Sequence, residues 1–375
     1  MTEDDILDDV SEMLKIDAGN MLAATASSGA QIRSALLAID ENKLAEVREW
    51  GKPRSVVITG VGGSGISGRI AQSLAHVASS IPVVAVGGFG LPTWVGPSDV
   101  VIALSCSGST EETISGTLEA ARRGAQVIAI TSPGSKLDSF LDQIRNSITF
   151  PVDAQGRMPR ASMWTLLTPL LLIGDALGIF SVSARQLQTV ADQIDEINRD
   201  CAVETPLDEN PGKLLGLQFA QSLPMIWGTG AFGGVVAYRA TSQLAENAKL
   251  PAIHGEMPES QHNQIVVLDG PYSPGSLEDL FEDANTSGLG QFRIFILNDT
   301  LDDAGAQKRV NVVNEIAAKR GVKVTFIDAK GDDSLSRMAS LVALTDWASV
   351  YAALALGIDP SPILPIIELK TKSKE

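Results

Sequence analysis

The strongest constraint on the fold is a set of short, nearly uninterrupted apolar runs between residues 55 and 150, with helical stretches between them. Parallel strands that are covered by helices on both faces have this composition, because neither face of the strand meets water. We therefore predict an α/β fold with a doubly wound parallel sheet. The predicted strands are SVVIT (55–59), PVVAV (82–86), DVVIALS (99–105), QVIAIT (126–131) and SITF (147–150).

The same series repeats in the second half of the chain. The segment LPMIWGTGAFGGVVAYRATSQL (223–244) echoes VVITGVGGSGISGRIAQSL, and both indicate a strand, a glycine-rich turn and a helix. Further strands are predicted at 263–269, 292–298 and 323–329. Two tandem copies of one doubly wound fold are the economical interpretation. The predicted organisation is a helical segment over 1–50, a first domain over 51–208 and a second domain over 209–375.

Charge and cysteine content limit the possible partners and location. The 375 residues carry a formal net charge of −16, which argues against nucleic acid or an anionic membrane as the main partner. The apolar run 166–173 is too short to span a bilayer. Two cysteines, Cys106 and Cys201, cannot build a disulfide framework, and the acidic N-terminus has no signal-like apolar region. We expect a cytoplasmic protein.

The first glycine-rich turn contains G-x-G-x-x-G at Gly60, Gly62 and Gly65. A dinucleotide site also needs an acidic residue at the end of the second strand, where it binds the ribose hydroxyls. Here that strand is followed by GGFG (87–90), which disfavours a dinucleotide-dependent oxidoreductase. A tight turn without a ligand would explain the glycines but not Ser64 among them. The second turn has no matching serine, so a polar ligand is less expected there.

Hydroxyl groups crowd the end of the third strand, in SCSGSTEET (105–113). Ser105, Ser107, Ser109 and Thr110 all lie where a parallel strand is followed by a helix, whose free N–H groups and positive dipole end suit a phosphate. The alternative is a simple helix cap, but a cap needs only one hydroxyl. We favour phosphate binding at the crevice between the turns that follow strands one and three.

These segments resemble a known family. GVGGSGISG followed by SCSGSTEET is similar to the sugar isomerase (SIS) domain, a flavodoxin-like unit that binds phosphosugars, and the resemblance implies two tandem flavodoxin-like domains. The duplication resembles the phosphoglucose isomerase side of that superfamily, and in particular the bifunctional phosphoglucose/phosphomannose isomerases. Cys106 and Ser109 replace the tyrosine and asparagine that the family usually has. Three further segments fit the subgroup: MPRASMW (158–164), ENAKLPA (246–252) and MPESQHN (257–263).

The resemblance implies roles for four side chains. Moving a carbonyl between C1 and C2 needs a base, which the resemblance identifies as Glu246, although a solvated helical glutamate beside Lys249 is the alternative. His262 and Lys370 would help to open the sugar ring; Lys372 and Lys374 leave the choice of lysine open. The matching arginine, Arg160, would face the enediolate and lower the barrier electrostatically; its alternative role is a surface salt bridge.

The resemblance also implies the binding residues and the assembly. Gly63, Ser64, Ser105, Ser107 and Thr110 would hold the phosphate of a hexose 6-phosphate substrate. No metal is expected, because the three histidines lack metal-ligand spacing. No redox cofactor is expected, because the acidic residue of a dinucleotide site is missing after the second strand. We expect a homodimer in which His262 comes from the neighbouring subunit. A non-catalytic sugar-phosphate sensor is the rival hypothesis, but it would need neither Glu246 nor His262.

Overall fold

The computed structural model describes residues 2–273, 292–301 and 304–373, which form two compact units. We call Ser27–Asp192 the first unit, and Met1–Ala26 with Gln193–Glu375 the second unit. The strands are β1 (Val56–Thr59), β2 (Val83–Val86), β3 (Val100–Ser105), β4 (Gln126–Thr131), β5 (Ser147–Pro151), β6 (Leu223–Gly228), β7 (Ile253–Glu256), β8 (Phe292–Asn298) and β9 (Lys323–Asp328).

Helices occupy most of the remaining described chain, and α10 contains the residues at which the two units divide. They are α1 (Glu3–Asp8), α2 (Val10–Ile16), α3 (Met21–Ala26), α4 (Ser28–Ala38), α5 (Glu41–Glu49), α6 (Gly63–Ala78), α7 (Glu111–Arg122), α8 (Lys136–Leu141), α9 (Met163–Ala176), α10 (Ala184–Asp200), α11 (Pro211–Ala220), α12 (Gly230–Gln243), α13 (Ala304–Ala318), α14 (Ser334–Ala355) and α15 (Leu364–Lys372).

The first unit contains a parallel sheet in the order β2-β1-β3-β4-β5, which is the flavodoxin-like order. Alternate residues of a strand face the same side of a sheet. Val101 and Ala103 of β3 therefore share one face with Val127 of β4, and Ile114 of α7 and Leu137 of α8 complete a buried cluster there. The five predicted strands of this sheet are confirmed. They were predictable because strands covered on both faces carry apolar side chains throughout.

The second unit contains a parallel sheet in the order β7-β6-β8-β9, which repeats the order of the first four strands. β6 lies in the interior, and its side chains Met225 and Trp227 form a cluster with Ile294 and Ile296 of β8. The predicted fold class is thus confirmed: two flavodoxin-like parallel-sheet domains with flanking helices.

One predicted strand is wrong. The apolar run 263–269 forms a 3-10 helix, Gln264–Asp269, and the strand beside β6 is instead β7. An apolar run of this length does not distinguish a strand from a helical turn by periodicity. In a 3-10 helix side chains three apart lie on the same side, and Ile265 and Leu268 both pack on the core while Val266 is 66% exposed.

Helix α14 is the central helix of the second unit. Its 22 residues are long and apolar enough to cross a membrane by composition, but 94% of its most apolar window is buried inside the protein, as in a core helix. α11 crosses it at very short distance: a Cβ on Gly216 would lie 2.7 Å from Tyr351 Cβ and 2.8 Å from the Ala348 carbonyl oxygen. The two helices can approach this closely only because residue 216 lacks a side chain.

We predict that Gly216→Ala lowers the free energy of unfolding by about 1–3 kcal/mol, because overpacking outweighs the helix propensity that alanine adds. Denaturant unfolding measures the change. Gly96→Ala is the matched control, since none of the described residues would place an atom within 4 Å of its Cβ. Equal unfolding midpoints for the Gly216→Ala protein and the wild type would contradict the close approach of α11 and α14.

Candidate functional site

The glycine-rich turn after β1 brings two backbone segments into contact. Gly62 has a φ of +60°, which favours glycine, and α6 begins at the next residue. A Cβ on Gly63 would lie 2.6 Å from the carbonyl oxygen of Pro159. Only glycine at position 63 therefore allows the 3-10 turn Pro159–Ala161, which carries Arg160, to lie against the start of α6.

The N-terminus of α6 is open to an acceptor. Gly62 occupies the N-cap position, and no side chain among the described residues caps the helix there. The first N–H groups of a helix have no partner within the helix, and the positive dipole end favours an anion. Ser64, in the first turn of α6, is 9% exposed. This helix start has the properties of an anion site.

The loop that follows β3 carries the second group of hydroxyls. Ser105 Oγ donates to Thr110 Oγ1 at 3.2 Å, and Ser107 Oγ and Ser109 Oγ are 3.0 Å apart. Thr110 is the N-cap residue of α7, yet its side chain makes no capping hydrogen bond to the described residues. The hydroxyls thus contact one another rather than capping the helix, which does not match the simple cap considered above.

Hydrogen bonds from the residue that follows β4 hold this loop in place. The carbonyl oxygen of Cys106 accepts hydrogen bonds from the backbone N–H and the hydroxyl of Ser132, just beyond β4. Cys106 itself is 8% exposed, and burial raises the pKa of its thiol. A buried, protonated thiol packs as a small apolar group. The role of Cys106 in this structure is to fill space under the loop.

The two loops lie side by side because β1 and β3 are hydrogen-bonded neighbours. A Cβ on Gly60 would lie 3.1 Å from the carbonyl oxygen of Leu104, one residue before the end of β3. Arg160 is 3% exposed, which contradicts the alternative of a surface salt bridge. The first unit therefore gathers Gly63, Ser64, Ser105, Ser107, Thr110 and the turn of Arg160 at one edge of its sheet.

Glu246 lies in the second unit, in the π-helical segment Leu244–Ala248 that continues α12. Short π-helical segments occur frequently at functional sites. Glu246 is half-buried. Lys249 follows with a φ of +57°, and its Nζ donates to the backbone carbonyl oxygens of Glu246 at 2.8 Å and of Pro360 at 3.2 Å. Lys249 thus fixes the end of the π segment.

A buried polar network holds the backbone next to Glu246. Asn247 Nδ2 donates to Ser349 Oγ of α14 at 2.9 Å. Eight residues before Asn247, the Arg239 guanidinium donates to both carboxylate oxygens of Asp346, at 2.9 and 2.7 Å. Bidentate pairs of this kind define an orientation as well as a distance. Two side chains of α12 and its π-helical extension are thus fastened to the core helix α14.

His262 is exposed and directly follows the 3-10 turn Glu259–Gln261. The chain after it is anchored by Gln264: Trp227 Nε1 donates to Gln264 Oε1 at 2.7 Å, and Gln264 Nε2 donates to the carbonyl oxygen of His254 at 2.9 Å. The backbone near His262 is therefore fixed to β6 and β7, while the imidazole faces outward.

Lys370 is exposed on α15, and none of the nine residues of this helix, all of which are described, is buried. Lys372 is paired with Glu368, and Lys374 lies outside the described residues. The structure does not place Lys370 in contact with Glu246 or His262, so its assignment stays a prediction.

The second glycine-rich turn is occupied by a side chain of the protein itself. A Cβ on Gly230, which has a φ of +72°, would lie 2.7 Å from Oδ2 of Asp299. Asp299 follows β8, its N–H donates to Thr229 Oγ1 at 2.7 Å, and its carboxylate is paired with Arg337 at 2.7 Å. An internal carboxylate thus lies at the start of α12. Asp299 could not be found from local sequence, because Thr229 and Asp299 are 70 residues apart.

Metal-ligating side chains do not cluster in the part of the chain that the structure describes: it contains no group of three or more His, Cys, Asp or Glu that could hold an ion. The two units contribute different chemistry. The first unit provides hydroxyls, helix N-termini and one buried cation, and the second provides a half-buried carboxylate, an imidazole and an amine on three separate elements.

Comparison with known proteins finds a family match in each half of the chain. Residues 51–173 match the SIS domain, and residues 208–372 match the bacterial phospho-glucose isomerase C-terminal SIS domain. A bifunctional phosphoglucose/phosphomannose isomerase of Caldicellulosiruptor bescii is 34% identical over 85% of this chain and 89% of its own. One from Thermoplasma volcanium is 31% identical over 85% of this chain and 91% of its own.

The fold has solved counterparts. The crystal structure of glucosamine-6-phosphate deaminase from Thermotoga maritima aligns with a TM-score of 0.64 at 13% identity, covering 91% of this chain and 96% of that one. At this identity the likeness shows the shared fold alone. The sequence matches are stronger and run through both units, including the segments of Glu246 and His262. The chain belongs to the bifunctional phosphoglucose/phosphomannose isomerase family.

Proposed function

We propose that this protein is a metal-independent aldose–ketose isomerase that interconverts glucose 6-phosphate, mannose 6-phosphate or both with fructose 6-phosphate. The observation that carries the proposal is the combination of two uncapped helix starts lined with serines and a half-buried glutamate on a fixed π-helical segment. The relatives named above are isomerases of phosphoglucose and phosphomannose. The paired helix starts suit the phosphate, and the glutamate suits proton transfer.

Phosphate binding is the task of the first unit in this proposal. The N–H groups at the starts of α6 and α7 and the hydroxyls of Ser64, Ser105, Ser107 and Thr110 would donate to the phosphate oxygens. Hydrogen bonds to a charged acceptor are about twice as strong as neutral ones. Gly63 allows the backbone to approach, and the phosphate then fixes the sugar relative to Arg160.

Proton transfer is the task of Glu246. With the ring opened by His262 and Lys370, the carboxylate would take the proton from C2 of the aldose, which leaves a cis-enediolate. The same group, now a carboxylic acid, would return that proton to C1, while the hydroxyl proton moves from O2 to O1, so that atoms and charge balance. The positive charge of Arg160 would stabilise the enediolate. Each proton transfer from or to carbon is assigned to this one carboxyl group, and the proposal assigns no step to a metal ion.

Assembly as a homodimer completes the proposal. His262 and Lys370 are both exposed, and α15 carries four large apolar side chains that face solvent: Leu364 is 70% exposed, Ile366 36%, Ile367 54% and Leu369 67%. Exposed apolar clusters of this kind mark interaction surfaces. In a two-fold dimer the same surface is buried twice, and His262 of one subunit would complete the site of its neighbour.

The phosphate loop gives the first prediction here. Replacing Ser107 and Thr110 together by alanine should weaken the binding of inorganic phosphate at least about tenfold, because each hydrogen bond to a charged group contributes about 1.5–3 kcal/mol. Isothermal titration with inorganic phosphate measures the affinity. Ser139→Ala, which removes an exposed hydroxyl from α8, is the control. A folded double variant that binds phosphate like the wild type would refute the assignment of this loop.

The proton-transfer role of Glu246 gives the second prediction. Glu246→Gln preserves the shape of the side chain and removes the base, so kcat should fall by about 10²–10⁴ while KM changes little. A coupled assay of fructose 6-phosphate formation from glucose 6-phosphate and mannose 6-phosphate measures both constants. Glu315→Gln, an exposed position on α13, makes the same change in charge and should behave as the wild type. Turnover within a few-fold of wild type in Glu246→Gln would exclude this residue as the base.

The composite dimer gives the third prediction. Glu246→Ala and His262→Ala proteins should each be inactive alone. When their subunits exchange at random, half of the dimers are mixed, and each mixed dimer has one intact site and one doubly defective site. About a quarter of the wild-type activity should therefore return.

Subunit exchange is verified with two affinity tags, one on each variant. Mixing Glu246→Ala with a second Glu246→Ala preparation is the control and should restore nothing. If exchange is complete and the Glu246→Ala and His262→Ala mixture stays inactive, both residues of each site come from one chain.

A further inference from the structure

Gln31 of α4 makes an unusual set of hydrogen bonds for a buried residue near the start of the first unit. It is 3% exposed. Its Nε2 donates to the carbonyl oxygen of Ala161 at 2.7 Å and to Ser27 Oγ at 3.1 Å, and its Oε1 accepts from Thr165 Oγ1 at 3.2 Å. The amide thus links α4 to both ends of the segment 161–165, which is 130 residues further along the chain.

The segment that Gln31 contacts is the turn that carries Arg160. Ala161 is the last residue of the 3-10 turn, and Ser162 Oγ donates back to the Met158 carbonyl oxygen at 3.0 Å. On its other side the turn lies against Gly63, at the start of α6. The turn is therefore held by its own hydrogen bond, by the helix start and by the Gln31 amide.

Two of the three hydrogen bonds of Gln31 join α4 to the segment 161–165, and the third joins the amide to Ser27, the N-cap residue of its own helix. A buried amide costs free energy unless it is hydrogen-bonded, and an apolar side chain of the same size would fill the space without that cost. Gln31 and Thr165 also line a cavity of about 310 Å³ together with Arg157. On the cavity side the packing around the amide is incomplete. Its hydrogen bonds therefore hold the amide and the Ala161 carbonyl in place.

We propose that Gln31 is a positioning residue for Arg160. By fixing the carbonyl of Ala161, it determines where the Arg160 guanidinium lies relative to the start of α6. The inference rests on the proposed function, in which Arg160 stabilises the enediolate. Stabilisation of developing charge depends on a preorganised cation, and displacement of such a group by about 1 Å can cost about 100-fold in rate.

The test compares Gln31→Met with Ser27→Ala. Gln31→Met keeps the length of the side chain and removes its bond to Ala161, whereas Ser27→Ala removes a different bond of the same amide and leaves the Ala161 bond intact. We expect kcat of Gln31→Met to fall about 10- to 100-fold, with KM and the affinity for inorganic phosphate within about twofold of wild type. Ser27→Ala should match the wild type in all three. Thermal unfolding confirms that both variants are folded at the assay temperature.

A double-mutant cycle separates positioning from a general structural effect. If Gln31 acts through Arg160, adding Gln31→Met to Arg160→Ala should change kcat by less than about twofold, because the two residues act as one unit. Losses that multiply, or a fall in phosphate affinity equal to the fall in kcat, would overturn the inference. A slow Arg160→Ala with a fully active Gln31→Met would overturn it as well and leave the proposed function intact. A fully active Arg160→Ala would instead refute the role of Arg160 on which the inference rests.

Discussion

Hydrogen bonding between the parallel strands β1 and β3 determines where both loops of the first unit lie. Parallel neighbours end at the same edge of a sheet, so the helix starts of α6 and α7 emerge side by side. A Cβ on Gly60 would lie 3.1 Å from the carbonyl oxygen of Leu104 in β3, and a Cβ on Gly65 would lie 2.8 Å from the carbonyl oxygen of Gly60. Close backbone packing accounts for Gly60 and Gly65, and a φ of +60° accounts for Gly62, so a dinucleotide is not needed to explain the motif.

In the second unit, buried polar contacts fix the position of the helix that leads to Glu246. The Arg239–Asp346 pair and the Asn247–Ser349 bond join α12 and its π-helical extension to α14. Replacing a buried ion pair by apolar residues is often neutral for stability, so such a pair is weak evidence for a gain in stability. Its geometric effect is clearer, since it fixes the rotation of α12 about its axis. Side chains on rigid elements keep a more constant geometry than side chains on loops, and Glu246 is on such an element.

Local sequence predicted much of this architecture, and the failures have physical causes. The strands of the first sheet were predictable because strands buried on both faces must be apolar throughout. β7 was missed because, among the described strands, it pairs with β6 alone, and three of its four residues are exposed. The run 263–269 was misassigned because apolar content alone does not separate a strand from a 3-10 helix. The contact of Gln31 with Ala161 joins distant residues and leaves no local pattern. The roles of Glu246, His262 and Lys370 came from family resemblance and stay predictions.

The carboxylate of Asp299 at the second glycine-rich turn has a consequence for stoichiometry. A fold built from two copies of one domain could in principle bind two anions, one at each turn. Here the start of α12 already has a negative charge beside it, supplied by the chain and balanced by Arg337. A phosphate would have to displace that carboxylate against its ion pair and against like-charge repulsion. In the proposed function, duplication of the fold would therefore not double the capacity for ligand, and each chain would take up one equivalent of phosphate.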